Sequence, residues 1–308
     1  MKILVTGGTG FIGSHAVEEL VAGGHNVTVL ALSSRLPEYC LNIKDKVQFF
    51  RGDFRNTAIL KDALIDVNCV VHLAWTTLPQ STTDHPGFDV QSNVVGTINL
   101  LENCIKHDVT KIVFISSGGT VYGIPNSIPI TESDVVYPIC AYGISKLAVE
   151  KYIHLYHHLY SLEYIILRVS NAYGERQNLL KGQGVIGIWL YKLFQQKTLE
   201  IWGDGSTIRD YIYVKDVAKA IRLAVETHNK HGVFNTGTGQ GYSLKQLLSI
   251  IGQSLGISVD VKFKQARKFD VPVNVLDISK IKHDLAWFPS THIDQGVARV
   301  WRWIQETH

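Results

Sequence analysis

Tyr142 and Lys146 are the residues with the clearest chemical use, a phenol and an ammonium four positions apart in Ala141-Tyr142-Gly143-Ile144-Ser145-Lys146. On a helix this spacing puts both on one face, a turn apart. An ammonium beside a phenol stabilises the phenolate and brings its pKa towards the range of a general acid and base. Upstream, Ile115-Ser116-Ser117-Gly118-Gly119-Thr120-Val121-Tyr122-Gly123 sets hydroxyls just beyond an apolar run. At the chain start, Lys2-Ile3-Leu4-Val5-Thr6 leads into Gly7-Gly8-Thr9-Gly10-Phe11-Ile12-Gly13. Gly8, Gly10 and Gly13 fit G-x-G-x-x-G, and Gly7, Gly10 and Gly13 fit G-x-x-G-x-x-G. A strand, a glycine turn and a helix in that order let bare backbone approach a pyrophosphate and aim a helix N-terminus at its charge. The combination predicts a dinucleotide cofactor that moves a hydride while Tyr142 moves a proton.

These groups need a scaffold, and the first half of the chain alternates strand and helix signals. Apolar runs at Asn26–Leu32, Val47–Arg51, Cys69–Ala74, Lys111–Ser116 and Glu163–Ser170 read as buried strands. Helical patterns lie at Ser14–Ala22, Thr57–Ile65, Phe88–His107 and Tyr142–Tyr160. The alternation predicts an α/β fold, a doubly wound, mostly parallel Rossmann sheet over residues 1–171. Further helices near Gly184–Gln196, Val214–His228, Ser243–Leu255 and Ile293–Thr307 predict a smaller α/β lobe over 172–308, with some chain crossing back. Trp287, Trp301 and Trp303 are expected to pack that smaller lobe.

The end of the second strand bears on cofactor choice. Val29-Leu30-Ala31-Leu32-Ser33-Ser34-Arg35 has no carboxylate to hold a ribose 2′-hydroxyl. Ser33, Ser34 and Arg35 suit a 2′-phosphate instead, which favours NADP over NAD while leaving NAD open. Asp53, in Arg51-Gly52-Asp53-Phe54, is placed either to bond an adenine amino group or to cap the following helix.

With 308 residues, 45% of them hydrophobic, and a net charge of +3 without a basic stripe, the chain reads as a globular protein with no call for nucleic acid. Cys40, Cys69, Cys104 and Cys140 form no C-x-x-C and suggest reduced thiols in the cytoplasm. No segment reads as a signal peptide or membrane span. His154, His157 and His158 have a metal-compatible spacing, but without a catalytic glutamate they read as a solvated or subunit-contact face; no metal is expected.

The chain resembles the extended short-chain dehydrogenase/reductase family, in particular its nucleotide-sugar epimerases, dehydratases and reductases. The resemblance runs through Thr6–Gly13, His72-Leu73-Ala74, Asn93-Val94-Val95-Gly96-Thr97, Tyr142 with Lys146, Arg168–Gly174, Gly203–Tyr211 and Asp277-Ile278-Ser279-Lys280. It implies that Tyr142 is the acid/base and that Lys146 also holds the nicotinamide ribose. It further implies that Gly7, Gly10, Phe11, Ile12, Gly13, Asp53, Phe54, Leu73, Ala74 and Asn93 surround the cofactor, Asn93 at its nicotinamide end. Asn171, Arg209 and Arg267 would grip the sugar diphosphate, with Trp202 beside the base and Asp270 near the substrate ribose. The family hydroxyl aligns with Gly118, so Ser117 or Thr120 must supply it, Thr120 preferred. The acidic pair of the dehydratases is replaced by Gly119 and Thr120. The expectation is therefore NADPH reduction of a nucleotide-linked 4-keto-6-deoxyhexose for surface-polysaccharide precursors, with an NAD-dependent UDP-sugar 4-epimerase just behind. A cofactor-binding relative without catalysis is a minor alternative. Phe88–His107 and Tyr142–Tyr160 match helices that pair subunits in this family, which implies a homodimer.

Overall fold

The computed structural model describes all residues except 35, 78–81, 83, 181–183 and 266–270. The strands are β1 (Lys2–Thr6), β2 (Asn26–Ala31), β3 (Val47–Arg51), β4 (Cys69–His72), β5 (Lys111–Ser117), β6 (Glu163–Val169) and β7 (Asn171–Tyr173). They continue with β8 (Leu199–Trp202), β9 (Ile208–Tyr213), β10 (Gly232–Thr236), β11 (Gly241–Ser243), β12 (Val261–Lys264) and β13 (Val273–Asn274). The helices are α1 (Phe11–Ala22), α2 (Thr57–Ala63), α3 (Pro86–Asp89), α4 (Gly96–Lys106) and α5 (Ala141–Tyr160). After them come α6 (Val185–Phe194), α7 (Val214–Glu226), α8 (Leu244–Leu255), α9 (Ser279–Leu285) and α10 (Ile293–Thr307).

Seven parallel strands form the main sheet in the order β10-β6-β5-β4-β1-β2-β3. Side chains alternate across it, because successive residues of a strand point to opposite faces. Ile3, Val5, Val71, Val113 and Leu167 pack with α1, α7 and α9 on one face. Leu4, Val70, Phe114 and Ile166 pack with α2, α4 and α5 on the other. This is the doubly wound Rossmann-type fold.

The chain after 172 divides its work. It returns α7, β10 and α9 to the main sheet. The remainder forms a sheet of β11, β9, β13 and β7, a β8–β12 pair, and a core shared by α6, α8 and α10. Trp301 and Trp303 pack against that smaller core, as expected. Trp287 does not: it is buried in the main-sheet core, its indole N–H donating to the Asp216 carbonyl at 3.1 Å. Its position in sequence pointed to the smaller lobe, but the return of α7 brings Asp216 under the main sheet.

The expected helix from Phe88 starts two residues earlier at Pro86 and contains a π-helical turn over Val90–Val95. The wider turn buries Ser92, Asn93 and Val94 together. His154 and His157 pack on the Tyr164 ring, and His157 also lies 4.3 Å from the His231 ring. Among the described residues no helix is long and apolar enough to cross a membrane.

Helix α5 is tied to the sheet by a buried ion pair. Arg168 on β6 donates to Glu150 at 2.6 and 3.1 Å, and Ser116 on β5 donates to the same carboxylate at 2.5 Å. Removing one partner leaves a buried charge uncompensated. Arg168→Met is expected to cost about 3–5 kcal/mol in urea unfolding, and Arg168→Met with Glu150→Leu to recover most of it.

Candidate active site

Three glycines leave the space at the carboxyl ends of β1 and β4. Gly7 has φ +72°, and a Cβ there would lie 2.8 Å from the Ala74 backbone nitrogen. A Cβ on Gly13 would strike the Gly7 carbonyl oxygen. Gly8 serves packing instead, facing Val29 and Val17. Gly7, Gly10 and Gly13 line a cavity of about 390 Å³ and Gly8 does not, so the working frame is G-x-x-G-x-x-G. Helix α1 begins at Phe11, earlier than the expected Ser14, so Phe11 and Ile12 form its first turn and border the same cavity. A backbone cradle that side chains would fill, opening on a helix N-terminus, fits the pyrophosphate of a dinucleotide.

The other residues expected around the cofactor fall into two groups. Leu73 lines the cavity, and Ala74 closes on Gly7. Ser33 donates to the Thr9 hydroxyl at 3.1 Å, so the loop after β2 is fastened to the glycine turn. Ser34 is exposed, and Arg35 lies outside the described residues. Asp53 is held by Arg55 at 2.5 Å, which keeps its carboxyl below the usual range. It borders a separate open cavity, and Asn56 rather than Asp53 caps α2. Phe54 is buried against the His72 ring.

Asn93 lies beneath the cavity wall instead of facing the space. Its amide donates to Asp89 at 2.8 Å and to Thr77 at 3.1 Å, and its carbonyl accepts from Thr76 N at 2.9 Å. The π-helical turn sinks it into that position. His72 joins Thr6 at 2.7 Å to Thr97 at 2.9 Å below the same wall, and burial presses its pKa to about 3, so it is neutral.

Tyr142 and Lys146 both line the glycine cavity, as do Ser117 and Thr120. The Thr120 hydroxyl is buried with no hydrogen-bond partner among the described residues. Gly118 has no room for a hydroxyl: a Cβ there would meet Leu276 at 2.6 Å and the Arg168 carbonyl at 3.0 Å. One sequence expectation is corrected. The Lys146 ammonium donates to the Ile115 carbonyl at 2.7 Å and sits 3.7 Å from the centre of the Trp75 ring, while the Tyr142 ring is 5.7 Å away. The phenol is thus not acidified here: burial, then Cys140 and Asp89, push it above its ordinary range. Burial also lowers Lys146 to about 7, against the opposing pull of Glu150 and Asp89.

A second cavity of about 490 Å³ shares Asn171, Ala172 and Gly184 with the first. Trp202, Arg209 and Lys192 line it. Arg209 does not turn to its neighbour Asp210, since adjacent strand residues face opposite ways. Asp210 is buried on the other side, accepting from Thr238 N at 2.9 Å and from its hydroxyl at 2.7 Å. Asn171 donates to the Asp210 carbonyl at 3.0 Å. Arg267 and Asp270 lie outside the described residues. Trp75, Thr77 and Gln177 also line the first cavity and were missed from sequence. The available signal for Trp75 was an aromatic just past the end of a buried strand, at the edge of the sheet where ligands bind.

The model of the "NAD dependent epimerase/dehydratase family" matches residues 3–237. The chain belongs to this family. A putative UDP-glucose 4-epimerase of Methanocaldococcus jannaschii is 40% identical, covering 99% of both chains. A dTDP-4-dehydro-6-deoxyglucose reductase of Escherichia coli is 29% identical over 97% of this chain and 96% of its own. Among solved structures, the UDP-glucose 4-epimerase of Thermotoga maritima with UDP-glucose superposes with a TM-score of 0.93 at 34% identity, covering 100% of this chain and 99% of that one. The UDP-glucose 4-epimerase of Thermus thermophilus in complex with NAD gives 0.91 at 32% identity, with full coverage of both. The chain is therefore an enzyme of the extended short-chain dehydrogenase/reductase type, served by a nicotinamide cofactor.

For a family member with this turn, Gly13→Ala forces the Gly7 carbonyl out of place. We expect it to weaken binding of the nicotinamide dinucleotide at least tenfold by fluorescence titration, with the circular dichroism spectrum retained.

Proposed function

We propose that the protein is an NAD-dependent 4-epimerase of UDP-hexoses. The observation that carries this reading is the gathering of Tyr142, Lys146 and a Thr120 hydroxyl with no partner among the described residues, in a glycine-lined cavity continuous in its lining with a second, roomier one. The likeness along the whole chain to UDP-glucose 4-epimerases supports it.

A dinucleotide held in the glycine cavity would supply the hydride acceptor and donor at the sugar C4. Tyr142 would take the proton of the C4 hydroxyl in the oxidation half of the reaction and return it in the reduction half, so no proton is lost overall. Thr120 bonds the same oxygen, with Ser117 beside it. Lys146, in the lining of the same cavity, would hold the cofactor ribose and stabilise the phenolate. Asn171 and Arg209 hold the diphosphate, Trp202 stacks on the base, and Phe11, Ile12 and Leu73 keep water from the reacting carbon. Lys192 adds a cation to the lining of the second cavity, on the diphosphate side.

NADPH-dependent reduction of a 4-keto-6-deoxy nucleotide sugar is the second reading. It is favoured by Ala31, which leaves the end of β2 without a carboxylate, and by Ser33 fastened beside the glycine turn. Mass spectrometry of the cofactor released from purified protein separates the two. Retained NAD with interconversion of UDP-glucose and UDP-galactose is the expected result; NADP, with NADPH consumed by a 4-keto-6-deoxy nucleotide sugar, replaces it with the reductase. In either reaction Tyr142→Phe should lower kcat about a thousandfold and Thr120→Val about tenfold to a hundredfold, with KM little changed.

We also infer a homodimer formed through α4 and α5. Leu155 and Leu159 on α5 and Val95 beside α4 are exposed at 42%, 57% and 43%, apolar side chains whose burial against a second copy is favourable. Light scattering should give twice the 34.4 kDa chain mass, and Leu155→Lys with Leu159→Lys should give the monomer.

A further inference from the structure

Trp75 is the one large aromatic that touches both members of the acid–base pair among the described residues. The Lys146 ammonium stands 3.7 Å from the centre of its ring, and the Tyr142 ring meets it at 5.8 Å and 67°. Phe114 backs it at 6.2 Å and also lies 4.7 Å from the ammonium. The indole N–H is buried and has no hydrogen-bond partner among the described residues. Burying an indole without satisfying its N–H is unfavourable, so the ring is held in place by what its faces do.

We propose that Trp75 is a positioning residue for the acid–base pair, its face seating the Lys146 ammonium and its edge abutting the Tyr142 ring. The aromatic quadrupole attracts the cation, while the Ile115 carbonyl takes one of its protons at 2.7 Å. These two contacts define a resting place for a side chain that otherwise has four rotatable bonds. Both contacts favour the charged form of Lys146, against the burial that lowers its pKa to about 7. The groups facing it are Glu150 and Tyr142 from α5, Asp89 from α3 and neutral His72 from β4. Removing the indole leaves Glu150 and Asp89 to hold the charge without the π face, so Lys146 loses its proton at lower pH.

The proposal rests on Tyr142 and Lys146 being the acid–base pair, but its first test needs neither substrate nor turnover. The protein is labelled with 5-fluorotryptophan, and the Trp75 signal among the six tryptophans is assigned by its absence in Trp75→Phe. That ¹⁹F resonance should titrate with a midpoint near 7 and stop titrating in Lys146→Met, the other signals unchanged. A resonance that does not move between about pH 5 and 10, or that still titrates in Lys146→Met, overturns the proposal whatever the enzyme's substrate. Where a substrate is turned over, Trp75→Leu should move the alkaline limb of the kcat profile down by about half to one pH unit, and Trp75→Phe by less. KM for the nucleotide sugar should stay within about twofold. A fall in kcat without movement of that limb also overturns it.

Discussion

The backbone contact between the ends of β1 and β4 governs the rest of the molecule. Thr6 and His72 are paired in register, and one residue further on the chain must part to admit a ligand. Gly7 turns with positive φ directly against Ala74, and Gly13 brings the first turn of α1 back over the Gly7 carbonyl. No side chain fits in either place. The space that would hold side chains in another protein is a cradle of backbone N–H groups, and the acid–base residues on α5 border the same cavity. If the strands were a residue out of register, or α1 set further away, Tyr142 and Lys146 would have nothing to act upon.

Beneath that contact lies a polar layer with little exposure to water. Thr6, His72 and Thr97 bond in series under the cofactor wall. Ser116, Glu150 and Arg168 join β5, α5 and β6, and the Arg168 guanidinium covers the Tyr122 ring at 4.8 Å. Tyr122 in turn donates to Asn235 on β10 at 2.7 Å, and Asn235 N donates to Glu132 at 2.7 Å. Such networks add little net stability compared with apolar packing, yet they penalise any other register because each displaced group becomes a buried, unsatisfied one. Their geometry makes the strand ends reproducible, and a proton-transfer site depends on that reproducibility.

Electrostatics and burial pull against each other at Lys146. Its distance in sequence from Tyr142 suggests a simple charge-to-phenol contact. The folded chain instead lodges the ammonium on a carbonyl and an indole face, in a medium that disfavours both the ammonium and the phenolate. Burial thus favours the neutral forms of both groups, so Tyr142 needs the Lys146 charge brought closer before its phenol can give up a proton near neutral pH.

Much of the scaffold was legible in the residues. The alternating apolar runs mark six of the seven main-sheet strands, because buried parallel strands need continuous hydrophobicity. The glycine turn and the Tyr142–Lys146 spacing mark the chemistry, because only glycine tolerates Gly7's backbone and only a helical turn brings residues four apart together. That some chain crosses back was expected, but that β10 and α7 are the elements that return, and with them Trp287, was not legible, since strand order is set by long-range packing. Asn93 matches a family motif, yet the π-helical turn of its own helix draws it under the wall, a local backbone feature with no residue-type signature.

The sequence by itself therefore determined which groups are present and which of them share a strand end or a helix face, because those relations are local and follow from the periodicity of backbone structure. The tertiary structure alone decided that Leu276 denies Gly118 a side chain, that Thr120's hydroxyl finds no partner among the described residues, and that Trp75 carries the Lys146 ammonium. Each of these depends on atoms far apart in the chain meeting at van der Waals distance, and no spacing rule specifies which distant side chain fills a given space.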